Sequence, residues 1–296
     1  MTLAIETDVA PSVPIWSRVR RALRRSSLII GAAIVVTVVL VAVAAPLIAP
    51  YSPYDQNLDI RTIPPSFLGG HQDHLLGTDQ MGRDYLSRLI YGARVALVIS
   101  VGAVALSSLI GITLGLLGGY FGGRVDAVVM FFITVRLSLP VILVALAVVG
   151  LVGSQLITIM AVLAGLLWDR FAVVVRSLTT QMREREFVLA ARAAGCSNLR
   201  ILTRDILPNL AASIVVIATL EMANAILLEA ALSFLGLGIK PPNPSWGSMI
   251  AEAKDFVFFE PWLINIPGFA LFIFVVGINL LGDGLQDLLS AKSRRS

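Results

Sequence analysis

The sequence predicts an all-α integral membrane protein with about six transmembrane helices and with both termini in the cytoplasm. Three observations predict this fold class. Of 296 residues, 57% are hydrophobic and 14% are charged, and the mean hydropathy is +0.85, whereas soluble domains carry about 25% charged residues. Several apolar runs reach the roughly 20 helical residues needed to cross a bilayer. Basic residues concentrate in segments that would share one side of the membrane.

Apolar runs and turn signals divide the chain into elements. Residues 1–27 form a basic N-terminal segment that contains RVRRALRR, and the first span follows at 28–49. Clusters of Pro, Gly, Asn and Asp over 50–94 predict an ordered extracytoplasmic loop. A core at 95–296 holds five further spans: 95–118, two spans inside 125–175 that the turn GLVGSQ separates, 211–235 and 263–281. Pro140 is expected to bend or end a helix in this core.

The distribution of Lys and Arg sets the orientation. The N-terminal basic run, the polar segment at 176–208 and the C-terminal KSRRS share one side, and because basic residues resist translocation this side is predicted to be the cytoplasm. The basic run and the long first span do not fit a cleaved signal peptide, so the span is expected to be retained. The net charge of +4 requires no nucleic-acid partner, because topology and anionic membrane lipid account for it. The single cysteine, Cys196, excludes an intrachain disulfide.

The segment 176–208 has the most organised polar pattern in the chain. Small residues at positions i, i+1, i+4 and i+5 share one helix face, which another backbone can approach closely: Ala190, Ala191, Ala194 and Gly195. Gly195 can end a helix in left-handed geometry, and Ser197 or Asn198 can cap a second helix. We therefore predict a helix, an elbow and a second helix, with a merely solvated connector as the alternative.

This loop resembles the cytoplasmic loop of bacterial ABC importer permeases. The signature of that loop is Glu-Ala-Ala, three residues, Gly, and Leu-Pro about a dozen residues later; the matching positions here are Ala190, Ala191, Gly195, Leu207 and Pro208. The signature Glu falls on Leu189, while Glu186 suits the peptide-importer branch. Longer stretches resemble the C-type permease of dipeptide and oligopeptide importers, a branch that includes nickel and glutathione transporters: LGTDQMGRDYLSRLIYGARVAL (76–97), EAALSFLGLGIKPPNPSWGSMI (229–250) and NLLGDGLQDLL (279–289).

The resemblance implies the type I ABC importer permease architecture in a bacterial plasma membrane. The chain would form half of a translocation pathway with a second, B-type permease subunit. One or two cytoplasmic ATPase subunits would dock on the elbow, and an extracytoplasmic substrate-binding protein would deliver a dipeptide, oligopeptide, glutathione or nickel. The coupling positions are then Glu186, Ala190, Ala191, Ala194, Gly195, Leu207 and Pro208.

Charged and metal-binding residue types in the extracytoplasmic loop give two further hypotheses. Asp79, Arg83, Asp84 and Arg88 are spaced for i, i+4 ion pairs on a short helix at the membrane surface. Such a helix is either a landing surface for the binding protein or a cap that satisfies only its own charges. His71 and His74 have the i, i+3 spacing of a metal pair. With no supporting Cys and only one Asp nearby, exposed loop histidines are preferred, and no metal site is predicted.

Charged residues inside predicted spans are costly and therefore mark candidate functional positions: Arg136, Asp169, Arg170, Glu221 and Glu229. Glu221 and Glu229 are eight residues apart and nearly share a helix face. They can line a polar route for the charged termini of a peptide, or they can pair with other spans or with the partner permease.

Missing motifs limit the function classes. The chain has no G-x-x-x-x-G-K-[ST] phosphate-binding loop, so ATP and magnesium are expected in partner ATPases, with no cofactor here. The sequence has no Ser/His pair within the spans, no zinc motif and no carboxylate dyad buried in a helix. An enzyme is therefore not predicted. A self-sufficient secondary transporter or channel is the alternative, and it predicts inverted repeats and midplane carboxylates. No convincing repeat relates the first three spans to the last three. A scaffold without a pathway is a third possibility.

Overall fold

The computed structural model describes the backbone of residues 15–293 and the side chains of residues 26–288. Helices dominate this part of the chain. In chain order they are α1 (Ile15–Val43), α2 (Ala45–Ile48), α3 (Tyr85–Phe121), α4 (Gly123–Ser138), α5 (Val141–Val152), α6 (Leu156–Met182), α7 (Glu186–Ala193), α8 (Asn198–Arg200), α9 (Leu207–Leu232), α10 (Trp246–Glu252) and α11 (Trp262–Ser293). A π-helical turn over Ile201–Ile206 joins α8 to α9. The basic run of the N-terminal segment lies within α1, and the end of KSRRS lies outside the described residues.

Five helical segments of the described chain are long and apolar enough to cross a membrane: α1, α3, α6, the continuous helix at 198–237, and α11. The pair α4 and α5 supplies a sixth span if taken as one broken crossing, because its two halves are bent by 86°. Proline restricts the residue before it to extended geometry, and Leu139 has that geometry immediately before Pro140. The bend predicted at Pro140 is confirmed, and the predicted third span is a broken one.

One predicted boundary differs from the structure. The second span was expected to start at 95, but α3 begins at Tyr85, where Asp84 accepts a hydrogen bond from the Ser87 N–H (2.8 Å) and caps the helix. Polar residues in the first turns hid this start from a search for apolar runs. The turn between the two spans inside 125–175 is where it was predicted, because α5 ends at Val152 and α6 begins at Leu156.

A row of glycines brings α3 and α6 into backbone contact. Gly111, Gly115 and Gly119 recur every four residues and share one face of α3. A Cβ atom added at these glycines would lie 2.3, 2.8 and 2.6 Å from the carbonyl oxygens of Trp168, Ala172 and Arg176, respectively. Small residues four apart allow helices to pack closely in lipid, where the hydrophobic effect does not drive association. The glycine row therefore fixes the spacing between these two spans.

The first and last spans pack in the same way. A Cβ atom at Gly31 would lie 2.4 Å from the Leu281 nitrogen, and one at Gly284 would lie 2.6 Å from the Leu28 Cβ. On the predicted outer side, a buried cluster joins α3, α10 and α11, with Tyr85, Trp246 and Phe274 among its members. These contacts fix the packing of α1 on α11 and of α10 on α3 and α11.

We predict that Gly115→Leu destabilises the protein, because the new side chain must displace α6 backbone. Overpacking of this kind costs roughly 1–3 kcal/mol or more. The thermal unfolding midpoint of the detergent-purified protein measures the loss. Gly268→Leu is the matched control, since a Cβ atom there meets nothing within 4 Å. Equal midpoints for the two variants would contradict the close packing of α3 on α6.

Candidate functional site

A left-handed glycine forms the elbow between α7 and α8. Gly195 has a φ of +75°, and the N–H of Cys196 donates to the Ala191 carbonyl (3.1 Å). This bond is typical of the Schellman motif, which ends helices at a position that favours glycine. Ser197 then caps α8 by accepting a hydrogen bond from the Arg200 N–H (3.4 Å). The chain therefore forms the predicted helix, elbow and second helix.

The second helix of the elbow continues into the fifth span. Proline has no N–H to donate, and its ring collides with the carbonyl four residues earlier in a regular α-helix. The π-turn at Ile201–Ile206 precedes Pro208 and widens the helix there. The N–H of Leu207 therefore donates to the carbonyl of Leu202, five residues earlier, rather than to a carbonyl four residues earlier. Pro208 thus lies in the first turn of α9 rather than ending the helix, and one helical stretch runs over 198–237.

The inner face of the elbow packs against the membrane spans. Val188 of α7 and Ile201 and Ile206 of the π-turn are fully buried. They share one apolar cluster with Tyr120 at the end of α3 and Val175 of α6. The elbow is therefore in direct contact with these helices.

The outer face of the elbow leaves apolar side chains uncovered. Phe187, Leu189 and Leu199 are exposed, Leu199 by 72%. Two of the predicted coupling residues, Ala191 and Leu207, pack inward against the buried cluster. The other five are exposed: Glu186, Ala190, Ala194, Gly195 and Pro208. The elbow is therefore apolar on two faces, one packed against the spans and one exposed.

Tyr120 links the end of α3 to both helices of the elbow. Its hydroxyl donates to Asn198 Oδ1 of α8 (3.0 Å), and the Arg192 guanidinium of α7 lies 5.3 Å from the centre of its ring. Arg183, just after α6, donates to the Gly119 carbonyl (3.4 Å). The elbow therefore has polar as well as apolar connections to the spans.

A buried ion cluster, formed by Asp79, Arg83, Arg88 and Glu252, joins the loop before α3 and the first turn of α3 to α10. Arg83 Nε contacts Asp79 Oδ2 at 2.6 Å, and Arg88 Nη1 also binds that carboxylate. The Glu252 carboxylate of α10 lies 2.7 Å from Arg83 Nη2 and 3.0 Å from Arg88 Nη2. Two positive and two negative charges balance, which suits a buried site. Glu252 was not identified from the sequence, because it is distant in the chain.

The predicted surface helix with two i, i+4 ion pairs is wrong in two respects. Residues 79–83 form a turn rather than a helix, so the pair of Asp79 and Arg83 forms in that turn. Asp84 does not pair with Arg88. Its carboxylate caps α3 by accepting a hydrogen bond from the Ser87 N–H, and it also binds His74 Nδ1 (2.9 Å). All four predicted residues are buried, so their side chains do not form an exposed contact surface.

The two histidines of the loop have different partners. His71 Nδ1 lies 3.1 Å from Asp73 Oδ2, whereas His74 binds Asp84 and packs against Tyr51. Within residues 26–288, no three His, Cys, Asp or Glu side chains are grouped as a metal site requires.

A polar cavity of about 380 Å³ opens between the broken span, α6 and α9. Arg136 of α4 pairs with Asp169 of α6 (3.3 Å), and Arg170 of α6 pairs with Glu221 of α9 (3.1 Å). Asn224 donates to Glu221 (3.3 Å) and lines the same cavity. Four of the five charged residues predicted inside spans therefore come together here.

The fifth, Glu229, lies elsewhere. It is fully enclosed, and its Oε1 accepts hydrogen bonds from Ser233 (2.8 Å) and from Ser245 (2.9 Å), the cap of α10. Glu229 therefore fastens α9 to the outer helix α10, whereas Glu221 lines the cavity. Helical spacing placed the two carboxylates near one face, but it does not show Ser245, which approaches from beyond a loop.

Comparison with known proteins decides the family. Residues 111–295 match the family described as binding-protein-dependent transport system inner membrane component. Residues 15–65 match the N-terminal transmembrane domain of oligopeptide transport permease C. The chain belongs to this permease family.

The permease is similar to curated relatives over nearly its whole length. It is 40% identical over 267 residues to the di/tripeptide transport system permease protein DppC of Pseudomonas aeruginosa, covering 90% of this chain and 88% of that protein. It is 38% identical over 288 residues to the dipeptide transport system permease protein DppC of Alkalihalophilus pseudofirmus, covering 97% and 93%.

Among solved structures, the MetNI methionine ABC transporter in an inward facing conformation matches with a TM-score of 0.55 at 18% identity, covering 69% of this chain and 95% of that chain. The predicted importer permease fold is confirmed, and with it a multi-pass protein of the bacterial inner membrane.

Removing one cation from the outer ion cluster should destabilise the permease. Arg88→Met leaves Asp79 and Glu252 with one shared cation, and breaking a buried ion pair costs about 3–5 kcal/mol. The lower end is expected, because Glu252 is 22% exposed and solvent screens its charge. Thermal unfolding in detergent measures the effect, with Arg61→Met, an exposed arginine of the same loop, as control. A shift no larger than that of the control would show that the cluster does not hold the loop.

Proposed function

We propose that this permease forms half of the translocation pathway of an ATP-driven importer for dipeptides or oligopeptides. The observation that carries the proposal is the elbow, whose uncovered apolar face is continuous with the fifth span. The near-full-length similarity to dipeptide and di/tripeptide transport permeases supports the choice of peptide cargo. A second, B-type permease supplies the other half of the pathway.

Cytoplasmic ATPase subunits dock on the exposed face of the elbow. Leu199, Phe187 and Leu189 project from this face, and burial of such side chains in a partner groove stabilises association. The small residues Ala190, Ala194 and Gly195 let the partner backbone approach. ATP and magnesium are bound by the ATPase subunits, and this chain acts as a transport subunit without catalysing hydrolysis.

Transport proceeds by alternating access. Closure of the ATPases displaces the elbow, and the buried cluster around Val188 and Ile201 moves with it. Tyr120 joins the end of α3 to the same movement through Asn198 and Arg192. The spans then rock as near-rigid bodies around the polar cavity, which forms part of the cargo route with Glu221 on its wall.

A substrate-binding protein delivers cargo on the outer side. The buried ion cluster formed by Asp79, Arg83, Arg88 and Glu252 holds the extracytoplasmic loop against α10 and, with Asp84 at the start of α3, keeps the loop in one shape. Asp79, Arg83, Asp84 and Arg88, which were predicted to contact the binding protein, act as this internal support. Exposed residues nearby in the loop contact the binding protein.

Affinity purification of the permease from its native membrane in mild detergent tests the proposal. A second permease and ATPase subunits should co-purify, and the reconstituted complex with its binding protein should take up dipeptide only when ATP is supplied. Purification of the chain alone, with solute movement in liposomes without ATP, would favour a secondary transporter and refute the proposal.

We expect Gly195→Trp to uncouple ATP hydrolysis from uptake. A Cβ atom at Gly195 meets nothing within 4 Å in this chain, so the indole projects into the space that the ATPase occupies. The left-handed φ adds about 1–2 kcal/mol of strain, which leaves the fold intact. Gly195→Asn is the control, because Asn tolerates this geometry and is small. Hydrolysis and uptake are measured together in proteoliposomes, and full uptake by the Trp variant at normal complex levels would exclude this role.

A further inference from the structure

The polar cavity presents a single accessible charge among the four charged side chains that line it. Arg136, Asp169 and Glu221 are 12%, 4% and 1% exposed, whereas the Arg170 side chain is 62% exposed. The cavity is neutral in sum, yet a solute entering it meets a guanidinium group.

Arg136 is not available for a solute. It pairs with Asp169 and also donates to the Leu166 carbonyl, so its charge is balanced within the wall. Arg170 is held differently. One of its nitrogens, Nη1, lies 3.1 Å from Glu221, and a guanidinium has five N–H donors. The side chain is 62% exposed and lines the cavity, so its remaining donors are accessible.

Glu221 is an incomplete partner for this cation. One of its oxygens binds Arg170 and Asn224, while the other, Oε2, is buried and has no hydrogen-bond partner within the described residues. A buried carboxylate oxygen without a partner is unfavourable. The ion pair therefore fixes the position of Arg170 through one nitrogen and leaves its other N–H donors unused by Glu221.

The depth of Arg170 narrows the choice of ligand. It lies about 21 Å along α6 from Leu156 at 1.5 Å per residue, inside the apolar part of the helix and six residues before Arg176. A solute in transit through the cavity passes this level. A guanidinium recognises planar carboxylates through two parallel hydrogen bonds, and every peptide with a free C-terminus carries such a group.

We propose that Arg170 forms a subsite for the C-terminal carboxylate of the peptide cargo, with Glu221 as the positioning residue that directs the guanidinium into the cavity. This inference rests on the proposed peptide-import function and assigns one specificity contact within its pathway.

The test compares two peptides in proteoliposomes that contain the complete importer and its binding protein. Uptake of alanyl-alanine and of alanyl-alanine amide is measured for the wild type, Arg170→Gln, Arg170→Lys and the control Arg124→Gln, an exposed arginine at the start of α4. The readout is the ratio of free-acid to amide uptake. Selectivity of the binding protein is common to all variants and cancels when their ratios are compared.

Arg170→Gln should lower this ratio at least about ten-fold, because it removes a charge-assisted hydrogen bond made only by the carboxylate. Arg170→Lys should restore part of the ratio, and Arg124→Gln should leave it unchanged. An equal fall in uptake of both peptides, with an unchanged ratio, would show a structural role and overturn the proposal.

Two further outcomes separate the alternatives. In the first, Arg170→Gln leaves the free-acid to amide ratio unchanged but lowers uptake of both peptides only in liposomes that contain anionic lipid. In that case Arg170 binds a lipid phosphate and the proposal fails. If the wild-type complex takes up neither peptide with ATP, the peptide-import function itself fails, and the subsite that depends on it is refuted with it.

Discussion

Hydrocarbon does not solvate charge or unpaired backbone, and this constraint shapes each region of the permease described above. Within the spans every polar group must find a partner inside the protein. The buried ends of the spans face the same demand, which the ion cluster around Glu252 and the bonds from Ser233 and Ser245 to Glu229 meet. Glu221 Oε2 is one of five buried side-chain atoms of the described residues that lack a hydrogen-bond partner.

The same constraint explains how the helices associate. Because lipid is as apolar as leucine, close approach of backbones replaces hydrophobic burial as a source of attraction. Gly111, Gly115 and Gly119 provide it between α3 and α6, while Gly31 and Gly284 do so between α1 and α11. Apolar side chains outside these contacts remain exposed, both on the spans and on the elbow.

Sequence reasoning predicted the features that local pattern determines. The length of the apolar runs predicted the spans, Pro140 predicted the bend between α4 and α5, and the small residues together with Gly195 predicted the elbow. It failed where partners are distant in the chain. Glu252 and Ser245 contribute to buried networks from the loop before the last span, and no spacing rule connects them to Asp79 or Glu229. The polar start of α3 was missed because a capped helix inside a loop carries little apolar signal.

The helix that leads from the elbow to the outer side has a mechanical consequence. Its regular α-helical part, Leu207–Leu232, measures about 39 Å at 1.5 Å per residue. It continues from the π-turn of the elbow at one end and contacts α10, through Glu229, near the other. Because an α-helix is stiff along its axis, a displacement of its elbow end is carried to its outer end. In the proposed transport cycle, one helix therefore links the elbow to α10 on the opposite side of the permease.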